Sequence, residues 1–185
     1  PYVDGFVINV SSPNTPNLRE LQKDEDLARI IVEVQKHSGE KPVLIKIAPD
    51  LEDVQICSIV DTARSLGCAG IVATNTTIER PDESDIMLEK GGLSGNPLSS
   101  RSTQVIRLIA DHTDGQWPII GVGGISSADD AWDKIINGAS LLQIYSAMVF
   151  HGASVIKKIV NGLDKKMKSE GFTSIDQAIG MARRG

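Results

Sequence analysis

Residues 118–130 read PIIGVGGISSADD, and the choice between two folds turns on the glycines in the middle. An apolar run, 118–123, ends on Gly123 and gives way to Ser126-Ser127-Ala128-Asp129, which reads as the first turn of a helix. A dinucleotide-binding turn has the form G-x-G-x-x-G, each glycine letting backbone approach a neighbour closely. Gly121 and Gly123 fit that form, but Ser126 stands where the third glycine belongs, and the stretch comes late in the chain. No phosphate loop of the Walker type occurs. An open doubly wound sheet therefore lacks its signature, although a strand followed by a helix is plain.

The same unit recurs on both sides. Apolar runs lie at 6–11 (FVINVS), 42–48 (PVLIKIA), 70–76 (GIVATNT) and 141–147 (LLQIYSA), each short and rich in Val and Ile, as buried parallel strands are. Helical stripes lie between them. Leu27, Ile30, Ile31 and Val34 form one. Val54, Cys57, Val60 and Ala63 form a second, stopped by Gly67, and Val105, Ile106 and Ile109 a third. Trp132, Ile135 and Ile136 form a fourth, followed by Gly138. Val155, Ile156, Ile159, Val160, Leu163 and Met167 form the longest, and a final short helix is expected over 174–180. Alternation of this kind builds a parallel sheet covered by helices.

Polar residues gather where each run ends: Ser11 and Ser12, Asp50, Asn75 and Thr76, Gly123 and Gly124, Tyr145 and Ser146. That is the face on which a (β/α)8 (TIM) barrel carries its active site, with phosphates often held after the last two strands. Five units do not close such a barrel, which typically needs about 250 residues. The expected fold class is α/β, a (β/α)8 barrel of which this chain carries about the last five βα units. The expected domain is a single one, with 1–185 its C-terminal portion. The chain opens on Pro1 rather than Met, with a strand a few residues on, so it is expected to be a piece of a longer protein.

Composition excludes several classes. The chain has 185 residues, 41% hydrophobic and 23% charged, an ordinary globular balance long enough to bury roughly 70% of the surface its unfolded form exposes. Its net charge is −5, and no basic block or interleaving of basic and aromatic residues points to nucleic acid. The apolar runs fall far short of the roughly 20 residues of a membrane span. Cys57 and Cys68 suit a reducing compartment, and their spacing fits neither a disulfide framework nor a zinc knuckle. No metal site is expected.

Candidate chemistry sits at the strand ends. Lys46 lies inside VLIKIAP, where an ammonium is costly unless an anion or strong acceptor meets it. It either snorkels out near the strand end or points inward at an electron-rich ligand. A flavin fits the second reading, because its N1–C2=O edge gains negative charge on reduction. GVGGI (121–125) and GGLSG (91–95), beside QIYS (143–146), are either plain turns or a phosphate cradle aided by a helix N-terminus. Asn75, among Thr74, Thr76 and Thr77, can pair with the amide edges of a planar ligand, as can Asn9 and Asn14. Asn14 equally suits a turn before Thr15-Pro16. Ser12 has no evident base: His37, His112 and His151 lie in or near helices, and VSSPN is not a nucleophile elbow. On physical grounds alone Ser12 reads as a cap or turn residue.

Taken in order, NVSSPNTPNLRELQ, LIKIAPDL, GIVATNTTIER, GGLSGNPL, PIIGVGGISS and GASLLQIYSAMVF resemble the C-terminal half of the class 2, quinone-dependent dihydroorotate dehydrogenases, and the likeness spans nearly the whole chain. The resemblance implies a barrel enzyme of pyrimidine (UMP) synthesis that oxidises dihydroorotate to orotate with FMN and passes electrons to a quinone. It makes Ser12 the base that takes the C5 proton and Thr15 part of its relay; class 1 members carry cysteine at the Ser12 position. It assigns Asn9, Asn14, Asn75 and Thr76 to the substrate, with Asn9 also touching the flavin. Lys46 and Thr74 fall at the flavin ring, and Ser94, Gly95, Gly123, Gly124, Tyr145 and Ser146 at its ribityl and phosphate. It further implies an N-terminal region, outside this chain, that supplies the first barrel units, the quinone tunnel and membrane association. The membrane would be the mitochondrial inner membrane in a eukaryote and the cytoplasmic membrane in a bacterium. Two other readings stay open: a non-flavin phosphate-binding barrel enzyme such as an isomerase or lyase, and a non-catalytic fragment.

Overall fold

A computed structural model describes residues 2–80 and 90–184. Among them, β1 (Phe6–Asn9), β2 (Val43–Ile47), β3 (Gly70–Ala73), β4 (Ile119–Val122) and β5 (Leu141–Gln143) form one sheet in the order of the chain. Every pairing is parallel. The intervening helices are α1 (Asp24–Ser38), α2 (Asp53–Ser65), α3 (Asn96–His112) and α4 (Ala128–Ile136). Two more follow β5: α5 (Ser146–His151) and α6 (Ser154–Ser169). Consecutive strands that stay neighbours, each joined by a crossover helix, are five successive units of a (β/α)8 barrel.

The pleat sorts the side chains into two sets. Val43, Ile45 and Ile47 are buried, while Leu44 and Lys46 between them are only half-buried. The buried set joins Ile8, Ile71, Ala73 and Ile119 beneath Leu27 and Ile31 of α1, Ile56, Ile59 and Val60 of α2, and Val105, Ile106 and Ile109 of α3. Successive residues of a strand face opposite ways, so the other set lines what would be the barrel interior. In register there lie Asn9, Lys46, Val72, Ile120 and Leu141. Leu141 is 64% exposed, as a wall is when nothing stands across from it. The helix side is a filled core; the interior side of this half-barrel is open.

Several sequence expectations shift. On α2 the core residues are Ile56, Ile59, Val60 and Ala63, whereas Val54 is exposed and Cys57 half-buried. Glu52 and Gln55 form a reciprocal cap at that helix start and set its phase, turning Val54 outward. On α6 only Val155 and Ile159 are buried, and Ile156 and Val160 face out. The expected helix over 174–180 is instead two single 3-10 turns, Ile175–Gln177 and Met181–Arg183. Gly180, with φ 68°, breaks the segment between them. The run 141–147 holds a strand only to Gln143, because Ser146 opens the separate short helix α5.

Candidate active site at the strand ends

The C-terminal ends of β2 to β5 open into one cavity of about 460 Å³. Its walls bring together Lys46, Thr74, Asn75, Thr76, Ser94, Gly95, Gly123, Gly124, Tyr145 and Ser146, residues drawn from the ends of four strands and from the loop before α3. Lys46 enters because it occupies the interior register of β2, level with Val72. Burial pushes its pKa down. Among the described residues nothing accepts a hydrogen bond from its ammonium, and no carboxylate lines the cavity.

The β1 residues reach the cavity through Asn75. Asn75 Nδ2 donates to Asn9 Oδ1 at 3.2 Å and to Ser11 Oγ at 3.0 Å, and Ser11 Oγ donates to Asn9 Oδ1 at 3.0 Å. Asn75 Oδ1 in turn accepts from the backbone of Thr76 at 2.8 Å. This fixes both faces of the amide, so Asn75 is oriented before any ligand arrives. Ser12, Asn14 and Thr15 are not in the cavity wall. Ser12 is half-buried, and its Oγ accepts from the Asn14 backbone at 3.2 Å, the turn role that physical reasoning alone assigns. Asn14 and Thr15 are exposed. His37 sits 3.5 Å from Glu33 on α1, His112 sits 2.8 Å from Asp61, and His151 ends α5.

The segment Gly91–Gly95 lies over the Ser12–Asn14 turn. Thr77 and Leu93 exchange backbone hydrogen bonds of 3.0 and 2.8 Å, which lays Gly91–Gly95 across the ends of β1 and β3. Gly92 is required there: a Cβ would meet Thr76 Oγ1 at 1.8 Å and Pro13 Cγ at 2.8 Å. The loop after β4 is equally tight, but the start of α4 plays a different part from the one expected. Asp130 Oδ2 accepts from the backbone and hydroxyl groups of both Ser126 and Ser127, at 2.8–3.0 Å. Burial raises the Asp130 carboxyl, but these bonds outweigh it and leave the group below its usual range. The two N–H groups just before α4 are therefore taken by the protein's own carboxylate, and Ser127 Oγ caps the helix by accepting from Asp130 N at 3.2 Å.

Sequence reasoning missed Arg19. Its guanidinium donates from Nε to Ser11 O at 3.0 Å, from one terminal nitrogen to Asp50 at 2.6 Å and from the other to Thr76 O at 2.8 Å. Asp50 also accepts from the Thr77 hydroxyl and from the Ile78 backbone. One arginine thus ties the ends of β1, β2 and β3 beside Ser12 and Asn75. No spacing rule marks it; only its partners, 31 and 57 residues away, do.

A parallel βα sheet whose strand ends open into one cavity, with no carboxylate in its wall among the described residues, has the layout of a barrel enzyme's active site. The model of the dihydroorotate dehydrogenase family matches residues 1–167. A dihydroorotate dehydrogenase (quinone) from Trichodesmium erythraeum is 47% identical over 191 residues, covering 98% of this chain and 50% of that protein. One from Acaryochloris marina is 50% identical over 188 residues, covering 97% and 50%. The crystal structure of Eimeria tenella DHODH in complex with ferulenol superposes with a TM-score of 0.93 at 35% identity, covering all of this chain and 55% of that one. The ligand-free form gives 0.94 at 35%. The chain belongs to the dihydroorotate dehydrogenase family and spans about half the length of the curated relatives it matches.

Proposed function

We propose that the protein carrying this chain oxidises dihydroorotate to orotate, with FMN as hydride acceptor and a quinone as final electron acceptor, in pyrimidine synthesis. The carrying observation is Lys46: a half-buried ammonium that meets neither an acceptor nor a carboxylate of the cavity wall among the described residues. Such a group favours a ligand that is electron-rich or becomes so. FMN fits on this chain's own terms. Lys46 and Thr74 would meet the ring, and Ser94, Gly95, Gly123, Gly124, Tyr145 and Ser146 would hold the ribityl and phosphate. Bound there, FMN supplies the acceptor for the hydride leaving C6 of dihydroorotate.

The remaining steps belong to the protein. Asn75, pre-oriented by Asn9 and Ser11, together with Thr76, Asn9 and Asn14, would hold the amide and carbonyl edges of the pyrimidine. Ser12 Oγ would take the proton from C5, and Thr15 would pass it toward solvent. The Gly91–Gly95 segment, packed against Pro13 and Thr76, would exclude water from that transfer. We further propose that this chain is the C-terminal portion of one FMN-binding barrel domain, and that quinone and membrane are met by parts of the protein outside it. The two bacterial relatives favour the cytoplasmic membrane over a mitochondrial one.

The test is spectroscopic. Anaerobic dihydroorotate should bleach the blue-light flavin band of the full-length protein, and a quinone should restore it. A folded protein without a flavin band would overturn the reading. Lys46→Met should weaken FMN binding about tenfold, the worth of one charge-assisted contact, or lower the flavin's reduction potential. Equal affinity and equal potential would remove Lys46 from the site.

A further inference from the structure

We infer that Lys134 is a positioning residue for the phosphate end of the cavity: from α4 it clamps the first turn of α3, against which the Gly123–Gly124 loop is moulded. The inference rests on the flavin reading above and adds a residue outside the cavity wall to it.

Lys134 is fully buried, at 0% exposure, and makes no ion pair among the described residues. Its Nζ donates to Ser99 O at 2.7 Å and to Thr103 Oγ1 at 2.6 Å, both on α3. Thr103 Oγ1 lies 3.1 Å from both Ser99 O and Asp133 Oδ2 and gives its single hydrogen to one of them. Burial pushes the ammonium down to about 8, with Asp133 and Asp130 pulling the other way.

What Lys134 holds is the floor of the glycine loop. A Cβ on Gly124 would lie 2.4 Å from Ser99 Cβ, 2.6 Å from its Cα and 2.8 Å from its N. The loop backbone thus rests directly on the residue whose carbonyl Lys134 grips. One turn later, Ser102 Oγ donates to Val122 O at 2.9 Å, fixing the strand end beneath the same loop. The other end of that turn of α3 carries Ser94 and Gly95 into the cavity, and a Cβ on Gly95 would stand 3.6 Å from Ser146 Oγ. Two segments that would face the phosphate, Gly123–Gly124 and Ser94–Gly95, therefore share one support. A buried cation with neutral acceptors is a poor stabiliser compared with an apolar side chain of similar size. Its usefulness here lies in the geometry it enforces.

The experiment compares FMN with riboflavin, which lacks the phosphate. Both are titrated into the flavin-stripped full-length protein, with binding read by quenching of flavin fluorescence. Lys134→Met should fold and melt at or above the wild-type temperature, since the apolar replacement removes the desolvation cost. It should bind FMN about tenfold more weakly while riboflavin changes less than about twofold. Thr103→Val, which removes one of the two acceptors, should show a smaller loss of the same kind, and it carries the test if Lys134→Met does not fold. An FMN preference that survives both substitutions overturns the role of Lys134 and leaves the flavin site standing. Parallel loss of both flavins also overturns it, because that is a general structural defect. Equal affinity of the wild type for the two flavins removes the phosphate site, and the role with it.

Discussion

Ser12→Ala is expected to lower dihydroorotate turnover about 10²–10⁴-fold, the usual loss when a general base is removed, with FMN still bound. The two parts of that result are separable because Ser12 lies outside the cavity wall that would hold the flavin. Its Oγ accepts a hydrogen bond from Asn14 N in the turn, so alanine also frees one backbone donor. That donor is exposed with Asn14, and its loss costs little stability beside the loss in rate. Single-turnover reduction of the flavin should show the defect in full, and reoxidation by quinone should be unaffected. Unchanged turnover would leave Ser12 with its turn role alone.

Arg19→Met is expected to destabilise the fold by about 3 kcal/mol, the cost of leaving a mostly buried charge without its partner. For a chain of this size that is a fall in melting temperature of roughly 10 °C. The side chains of Arg19 and Asp50 are 21% and 13% exposed, so water screens the pair only weakly. Methionine would strand Asp50 and leave the Ser11 and Thr76 carbonyls without their donor. Lysine keeps the charge but lacks the planar fork that reaches three acceptors, so Arg19→Lys should recover only part of the loss. A double substitution with Asp50→Asn should cost less than the sum of the two single changes. Strict additivity would mean that the three strand ends are not held as a unit.

The sequence by itself determined the succession of elements. Val and Ile runs of strand length, broken by helical stripes and glycine stops, are local signals that report which way a segment prefers to lie. The absence of a third glycine at Ser126 and the polar residues at every strand end carried the reading from open sheet to barrel. The same signals placed Lys46, Asn75 and the two glycine loops in one cavity, because parallel strands put all their C-terminal ends on one face. Tertiary structure alone decided what depends on partners far apart in the chain. The helical phase of α2 followed from its cap and turned Val54 outward, against a pattern read from apolar spacing. Asp130 reached back to the N–H and hydroxyl groups of Ser126 and Ser127, which apolar spacing does not foretell. Arg19, mostly buried, and Lys134, fully buried, each hold partners 30 or more residues away, and only folding shows what their nitrogens grip. Local propensity acts through the chain's own neighbours; the clamps act through space, and no periodicity records them.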